Sequence, residues 1–272
     1  MRKMRMLNRR AVIQQERNVM DDILELIAEG DEQTLKDLKL FVEDLRRKQK
    51  MDVVEALPVR EKVPENGLSE ILFVIDQSGS MGDEETEKAV VANFNKVITQ
   101  QRGEPGDARV STILFNTHVT TLHDALPIAD VPEMQRCDYV PAGGTALLDA
   151  VGMGIKCVCK RQSALPAAER PATTIVVIIT DGEENSSYKH TQTEIKQMIQ
   201  TLQEKHGWNF LYFGANVDHF AEASNLGIGV EDSIAFDADE MGINLCMSEC
   251  CHRISERRVA PNRTIKRPRK TK

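Results

Sequence analysis

The segment Asp76-Gln77-Ser78-Gly79-Ser80 sets three oxygen-bearing side chains at alternate positions directly after the apolar run Ile71 to Ile75. A second apolar run, Thr174 to Thr180, ends similarly on Asp181-Gly182. Carboxylate and hydroxyl oxygens are hard ligands suited to Mg²⁺, Mn²⁺ or Ca²⁺, and neither loop holds a histidine or cysteine of the kind Zn²⁺ prefers. Two anions gathered at one place need a counter-charge. A third segment, Ala142-Gly143-Gly144-Thr145, adds a further hydroxyl behind paired glycines, which allow its backbone to approach a neighbouring loop closely.

The elements that would position these groups read as an α/β fold. From Ser69 onward, short β-branched runs alternate with helical patterns, the signature of βαβ units around a parallel sheet. Strands are predicted at Ile71 to Ile75, Arg109 to Phe115, His118 to Leu122, Thr174 to Thr180 and Asn209 to Phe213, with a weaker one at Ser233 to Phe236. Helices are predicted at Glu84 to Gln100, Ala146 to Lys160, Thr191 to Glu204, Val217 to Asn225 and Ala238 to about Arg257. The expected architecture is doubly wound and mostly parallel, with helices on both faces. In such a sheet the loops after the central strands open onto a crevice at the strands' carboxyl ends, where ligands bind. Asp76, Ser78, Ser80, Thr145 and Asp181 are therefore expected to face one point.

Upstream, Val12, Val19, Ile23, Leu26 and Ile27 fall at helical spacing, as do Leu35, Leu38, Phe41, Val42 and Leu45, with Gly30-Asp31 between the two patterns. This predicts an N-terminal helical hairpin, with its linker, over residues 1–66. The α/β domain is then expected over 67–257 and a disordered basic tail over 258–272. Arg253 to Lys272 holds nine basic residues and one Glu, and the first ten residues hold five basic and no acidic ones, so the stretch between is more negative than the whole chain's net −7. The body repels polyanions; a nucleic-acid contact would fall to the tail. No apolar stretch approaches the roughly 20 residues of a membrane span, and the basic N-terminus lacks the apolar core of a secretory signal. The expected compartment is the cytoplasm. The six cysteines have no disulfide-framework spacing and are expected as free thiols. Cys246, Cys250, Cys251 and His252 do not make a zinc site on one helix, because only Cys246 and Cys250 share a face. Asp149, one turn past Thr145, is read as a solvated or helix-stabilising residue, and Glu183 and Glu184 as ordinary surface.

Taken in order, Asp-x-Ser-x-Ser, a distant Gly-Gly-Thr and Thr-Asp-Gly resemble the metal-ion-dependent adhesion site of the von Willebrand factor type A domain. The resemblance covers about Ser69 to Arg257. It implies a Rossmann-like fold, with Asp76, Ser78, Ser80, Thr145 and Asp181 in the metal's inner and outer shells, and a partner's Asp or Glu completing the coordination. Thr180-Asp181-Gly182-Glu183-Glu184-Asn185 and Phe213-Gly214-Ala215-Asn216 read most like compact bacterial cytoplasmic members. An ATPase or another assembly subunit is the partner class to consider first, although the partner's identity does not follow from the sequence. Two other functions are less well served by the residues. A metal-dependent phosphohydrolase would want a second carboxylate where Ser78 stands, and no base is placed to activate Ser78 or Ser80. A nucleic-acid-associated scaffold would rest on the basic tail alone. The expectation is a protein-binding module and not an enzyme.

Overall fold

The computed structural model describes residues 36, 40, 51–59, 67–215, 219–237 and 239–259. The chain divides into two units, Met1–Asp52 and Val53–Lys272, the second of which contains the sheet and the helices that cover it. The expected N-terminal hairpin and basic tail fall almost wholly outside the described residues.

Six strands form one sheet: β1 (Ser69–Asp76), β2 (Ala108–Phe115), β3 (Val119–Pro127), β4 (Thr173–Thr180), β5 (Asn209–Gly214) and β6 (Ser233–Ala235). They lie in the order β3-β2-β1-β4-β5-β6, with every pairing parallel except that of the edge strand β3 with β2. The doubly wound, mostly parallel sheet expected from the sequence is thus present. Strands β1 and β4 are buried along their whole length, which is why they read as continuous apolar runs and not as alternating ones. They pair in register from Ser69 with Thr173 to Ile75 with Ile179, so Asp76 and Asp181 follow at the same rim.

Among the described residues, the helices α1 (Glu84–Arg102), α2 (Leu147–Ala164), α3 (Gln192–His206), α4 (His219–Asn225) and α5 (Glu240–Val259) cover the sheet. Alternate strand positions serve opposite faces. Ile71, Phe73, Ile75, Val177 and Ile179 join Phe94 and Val97 of α1 and Cys246, Cys250 and Ile254 of α5 in one core. On the other face α2 lies close to the strands: a Cβ at Gly154 would meet Leu72 Cδ2 at 2.8 Å and Ile113 Cδ1 at 3.0 Å.

The largest difference from the sequence expectation is β3, which runs past Leu122 to Pro127. It is a half-exposed edge strand whose register with β2 shifts around Thr112, and Ala125 takes a positive φ of 51°. Polar residues and an irregular ladder hide the periodicity. Helix α5 ends at Val259, past Arg257, because the buried Arg258 guanidinium donates to the Gln101 carbonyl and side-chain oxygens and to the Gly106 carbonyl. Among the described residues no helix is long and apolar enough to cross a membrane.

Candidate metal centre

Asp76 is the last residue of β1 and its side chain is fully buried. Its Oδ1 accepts the Ser78 N–H at 2.7 Å, and its Oδ2 accepts the Thr180 hydroxyl, from the end of the neighbouring strand, at 2.5 Å. The Asp76 carbonyl in turn accepts the hydroxyl of the buried Tyr139 at 2.7 Å. These contacts fix the carboxylate before the chain turns through the short 3₁₀ segment Gly79–Met81.

That turn presents the two serines. Ser78 Oγ and Ser80 Oγ lie 3.0 Å apart, and both donate to Asp181 Oδ1, Ser80 at 2.8 Å and Ser78 at 3.5 Å. Asp181, on the loop after β4, therefore meets the loop after β1 directly. Thr145 arrives from a third loop. A Cβ built at Gly182 would sit 3.0 Å from Thr145 Oγ1, 3.7 Å from Ser80 Oγ and 3.8 Å from Ser78 Oγ, so the three hydroxyls surround a space that the missing side chain leaves open. The structure thus brings all five sequence-predicted residues to one rim.

Glycines permit the approach. Gly143 has φ +73°, a conformation L side chains rarely adopt, and a Cβ there would lie 2.7 Å from Thr117 Oγ1. Its carbonyl accepts the Gly79 N–H at 3.0 Å, joining the first and third loops.

The electrostatics are one-sided. Burial pushes the Asp76 carboxyl up to about 6, against the lowering effect of the Thr180 and Ser78 hydrogen bonds, and the Asp181 charge adds to the rise. Burial also raises Asp181, against its serine hydrogen bonds. Among the described residues no Lys, Arg or His ion-pairs or hydrogen-bonds with either carboxylate. Two carboxylates and three hydroxyls form a hard, all-oxygen donor set around an open space, which fits a divalent cation of the Mg²⁺ or Mn²⁺ kind.

Several residues that hold this centre together do not stand out as site residues in the sequence. Thr180 and Tyr139 fix Asp76. Glu184, expected as ordinary surface, accepts N–H groups from Leu148, Ser186 and Ser187 and the Ser187 hydroxyl. Asn185 Oδ1 accepts the Thr145 N–H at 2.8 Å. Asp149 lies in the first turn of α2 but is not solvated: it is buried and accepts the N–H groups of Tyr188, Lys189 and His190. The acidic Thr-Asp-Gly-Glu-Glu-Asn loop is the available signal for Glu184 and Asn185, but the partners of these side chains outside that loop lie about forty residues away. Elsewhere, the six cysteines are free thiols, and among the described residues no three His, Cys, Asp or Glu side chains gather to hold a metal. His252 is exposed while Cys246 and Cys250 are buried.

Residues 70–242 match the family model described as the von Willebrand factor type A domain. No curated protein sequence matches the chain. Among solved structures, the mussel byssus proximal thread matrix protein 1 with a zinc-occupied MIDAS motif is 18% identical, with a TM-score of 0.50 over 71% of this chain and 47% of that one. The von Willebrand factor domain of the type V pili tip protein Mfa5 from Porphyromonas gingivalis is 12% identical, with a TM-score of 0.51 over 72% of this chain and 97% of that one. The pilus adhesin SpaC from Lactobacillus rhamnosus GG is 13% identical, with a TM-score of 0.51 over 72% and 31%. The match spans about half the length of the mussel protein. At these identities the likeness is one of fold.

Proposed function

We propose that this chain, which belongs to the von Willebrand factor type A domain family, is a divalent-metal-dependent protein-interaction module that binds an acidic side chain of its partner. The observation that carries the proposal is the uncompensated charge at the sheet rim: Asp76 and Asp181 converge with three hydroxyls and have no basic partner among the described residues. The zinc-occupied MIDAS motif of the mussel matrix protein and the adhesin role of SpaC support the same reading.

Asp76, Ser78, Ser80, Thr145 and Asp181 would hold the ion, with Mg²⁺ or Mn²⁺ the first candidates and Ca²⁺ also compatible with the donors. When bound, the ion supplies a positive centre for an incoming carboxylate. The chain's own contribution is to fix the oxygens in advance. Thr180 and the Ser78 N–H orient Asp76, Ser80 orients Asp181, and Gly182 keeps the space between the hydroxyls clear. We read the site as binding and not catalytic because Asp181, the carboxylate that accepts the Ser78 and Ser80 hydroxyls, is itself one of the residues that would hold the ion, and among the described residues no histidine hydrogen-bonds either serine. The partner we propose is a protein offering an Asp or Glu, with an ATPase or assembly subunit as the first class to test.

The test is affinity capture from source lysate with and without chelator, comparing wild type with Asp76→Ala. Losing a desolvated charge contact costs on the order of 2 to 5 kcal/mol, so binding should fall at least about thirtyfold. Chelator should bring the wild type to the mutant's level and leave the mutant nearly unchanged. A partner held equally in both conditions and by both proteins would refute the proposal.

A further inference from the structure

Helix α2 has no side-chain cap of its own, since it starts after Ala146. Its first N–H groups are satisfied from the loop after β4: Glu184 accepts the Leu148 N–H at 2.9 Å and the Ser187 hydroxyl accepts the Asp149 N–H at 3.0 Å. Those two contacts account for the start of the helix. Asn185 lies between Glu184 and Ser187 and does something different. Its Oδ1 takes the Thr145 N–H at 2.8 Å, while its own N–H donates to the Thr145 carbonyl at 3.0 Å. Thr145 precedes the helix, and both of its backbone polar groups are gripped by this one residue.

The neighbouring geometry is arranged around that grip. A Cβ at Gly144 would sit 2.6 Å from Asn185 Oδ1 and closer still to Ser186 Oγ, so the close approach requires glycine there. The Ser186 N–H reaches the Thr145 carbonyl as well, at 3.2 Å, and the Ser186 hydroxyl donates to Asn185 Oδ1 at 2.7 Å. With its backbone fixed on both sides, Thr145 directs Oγ1 toward the space beside Gly182 that the Ser78 and Ser80 hydroxyls also line.

We infer that Asn185 is a positioning residue of the metal centre, acting through Thr145: it holds the threonine hydroxyl in register with the oxygens of Ser78, Ser80 and Asp181. The inference rests on the metal reading proposed above. Residues that orient ligands without touching the metal commonly change its affinity by about 10- to 100-fold. Asn185 itself is exposed, so truncating it opens no cavity in the core.

The experiment is calorimetric titration of the full chain with Mn²⁺ alone, using wild type, Asn185→Ala, Thr145→Ala and the double variant. Asn185→Ser, whose shorter side chain cannot span to the Thr145 N–H, serves if the alanine variant folds poorly. Asn185→Ala is expected to weaken Mn²⁺ about tenfold in the wild-type background and by less than about twofold once the Thr145 hydroxyl is gone. The control Thr191→Ala, which removes the side-chain cap of α3, should lower the melting temperature and leave Mn²⁺ affinity unchanged. Equal losses in both backgrounds, or wild-type affinity in Asn185→Ala, would overturn the inference while leaving the metal centre in place. A wild type that takes up no Mn²⁺ would overturn the metal reading and this inference with it.

Discussion

Strand β1 carries a fully buried carboxylate near each end, Glu70 and Asp76, and the chain treats the two in opposite ways. Six residues of extended chain put them about 20 Å apart. At the amino end, the Arg161 guanidinium lies on Glu70 Oε1, with Nε at 2.8 Å and an Nη at 2.7 Å, and the Gln162 amide donates to Oε2 at 2.7 Å. Arg161 also reaches Asp124 at 2.8 Å and the Ser111 hydroxyl at 3.2 Å. That carboxylate is neutralised by the fold itself. At the carboxyl end, among the described residues, Asp76 receives a backbone N–H and a hydroxyl but no basic group, and the charged group acting on it is another carboxylate, Asp181. An isolated buried charge is costly unless it is paired. The chain meets that requirement at one end only, and the end left unpaired is the rim where ligands bind in such sheets.

Removing the built-in cation breaks the contrast between the two ends most severely. Arg161→Ala would strand Glu70 without its counter-charge and should destabilise the domain by about 3 kcal/mol or more, by the same amount with or without divalent metal. Urea denaturation in chelator and in Mg²⁺ measures both; a metal-dependent loss would mean that the two ends are coupled.

Acid sharpens the contrast from the other side. The Asp76 carboxyl is raised from 3.8 to about 6 in the folded protein, so the folded state holds its proton more tightly than the unfolded chain does. The resulting stability is fully present below about pH 4 and is lost as pH rises through about 6; Asp181, also raised, acts with the same sign. With each tenfold change in proton affinity worth about 1.4 kcal/mol, the metal-free protein should lose on the order of 3 kcal/mol across that window from Asp76. Asp76→Asn, similar in shape and uncharged, should flatten most of this dependence in chelator. An equally steep profile in the variant would assign it to other groups.

The smallest effect on stability is expected at Ser80. It is exposed, and Ser80→Ala should change the metal-free stability by no more than about 0.5 kcal/mol. Metal affinity should nevertheless fall roughly tenfold, because one hydroxyl of the donor set and the hydrogen bond that orients Asp181 both go. A Mn²⁺ titration unaffected by the change would remove Ser80 from the centre.

How far the molecule can be read from its sequence follows the same physical division. Strands β1 and β4 are legible because burial on both faces demands uninterrupted apolar runs, and the oxygen residues after them stand out against that background. Edge strand β3 is half exposed and bulged, so neither periodicity nor composition marks its full length. The five oxygen-bearing residues of the proposed centre are legible as side-chain chemistry in order along the chain. Their support is not: Tyr139 reaching the Asp76 carbonyl, Asn185 gripping Thr145 and Asp149 gathering three N–H groups are all contacts to backbone, which has no residue-type signature. The burial of Asp149 in particular depends on a loop about forty residues downstream folding back onto the start of α2.

The most direct test of the rim as a cation site is urea denaturation at pH 7 of wild type and Asp76→Asn, each in chelator and in Mg²⁺ or Mn²⁺ at about a hundred times the wild type's dissociation constant. The bound ion should stabilise the wild type by about 2.7 kcal/mol, supplying at the carboxyl end of β1 what Arg161 supplies at the other, and should leave Asp76→Asn essentially unmoved. A wild type whose midpoint is the same in chelator and in millimolar metal, or a variant stabilised as much as the wild type, would contradict the claim that this rim is a cation site.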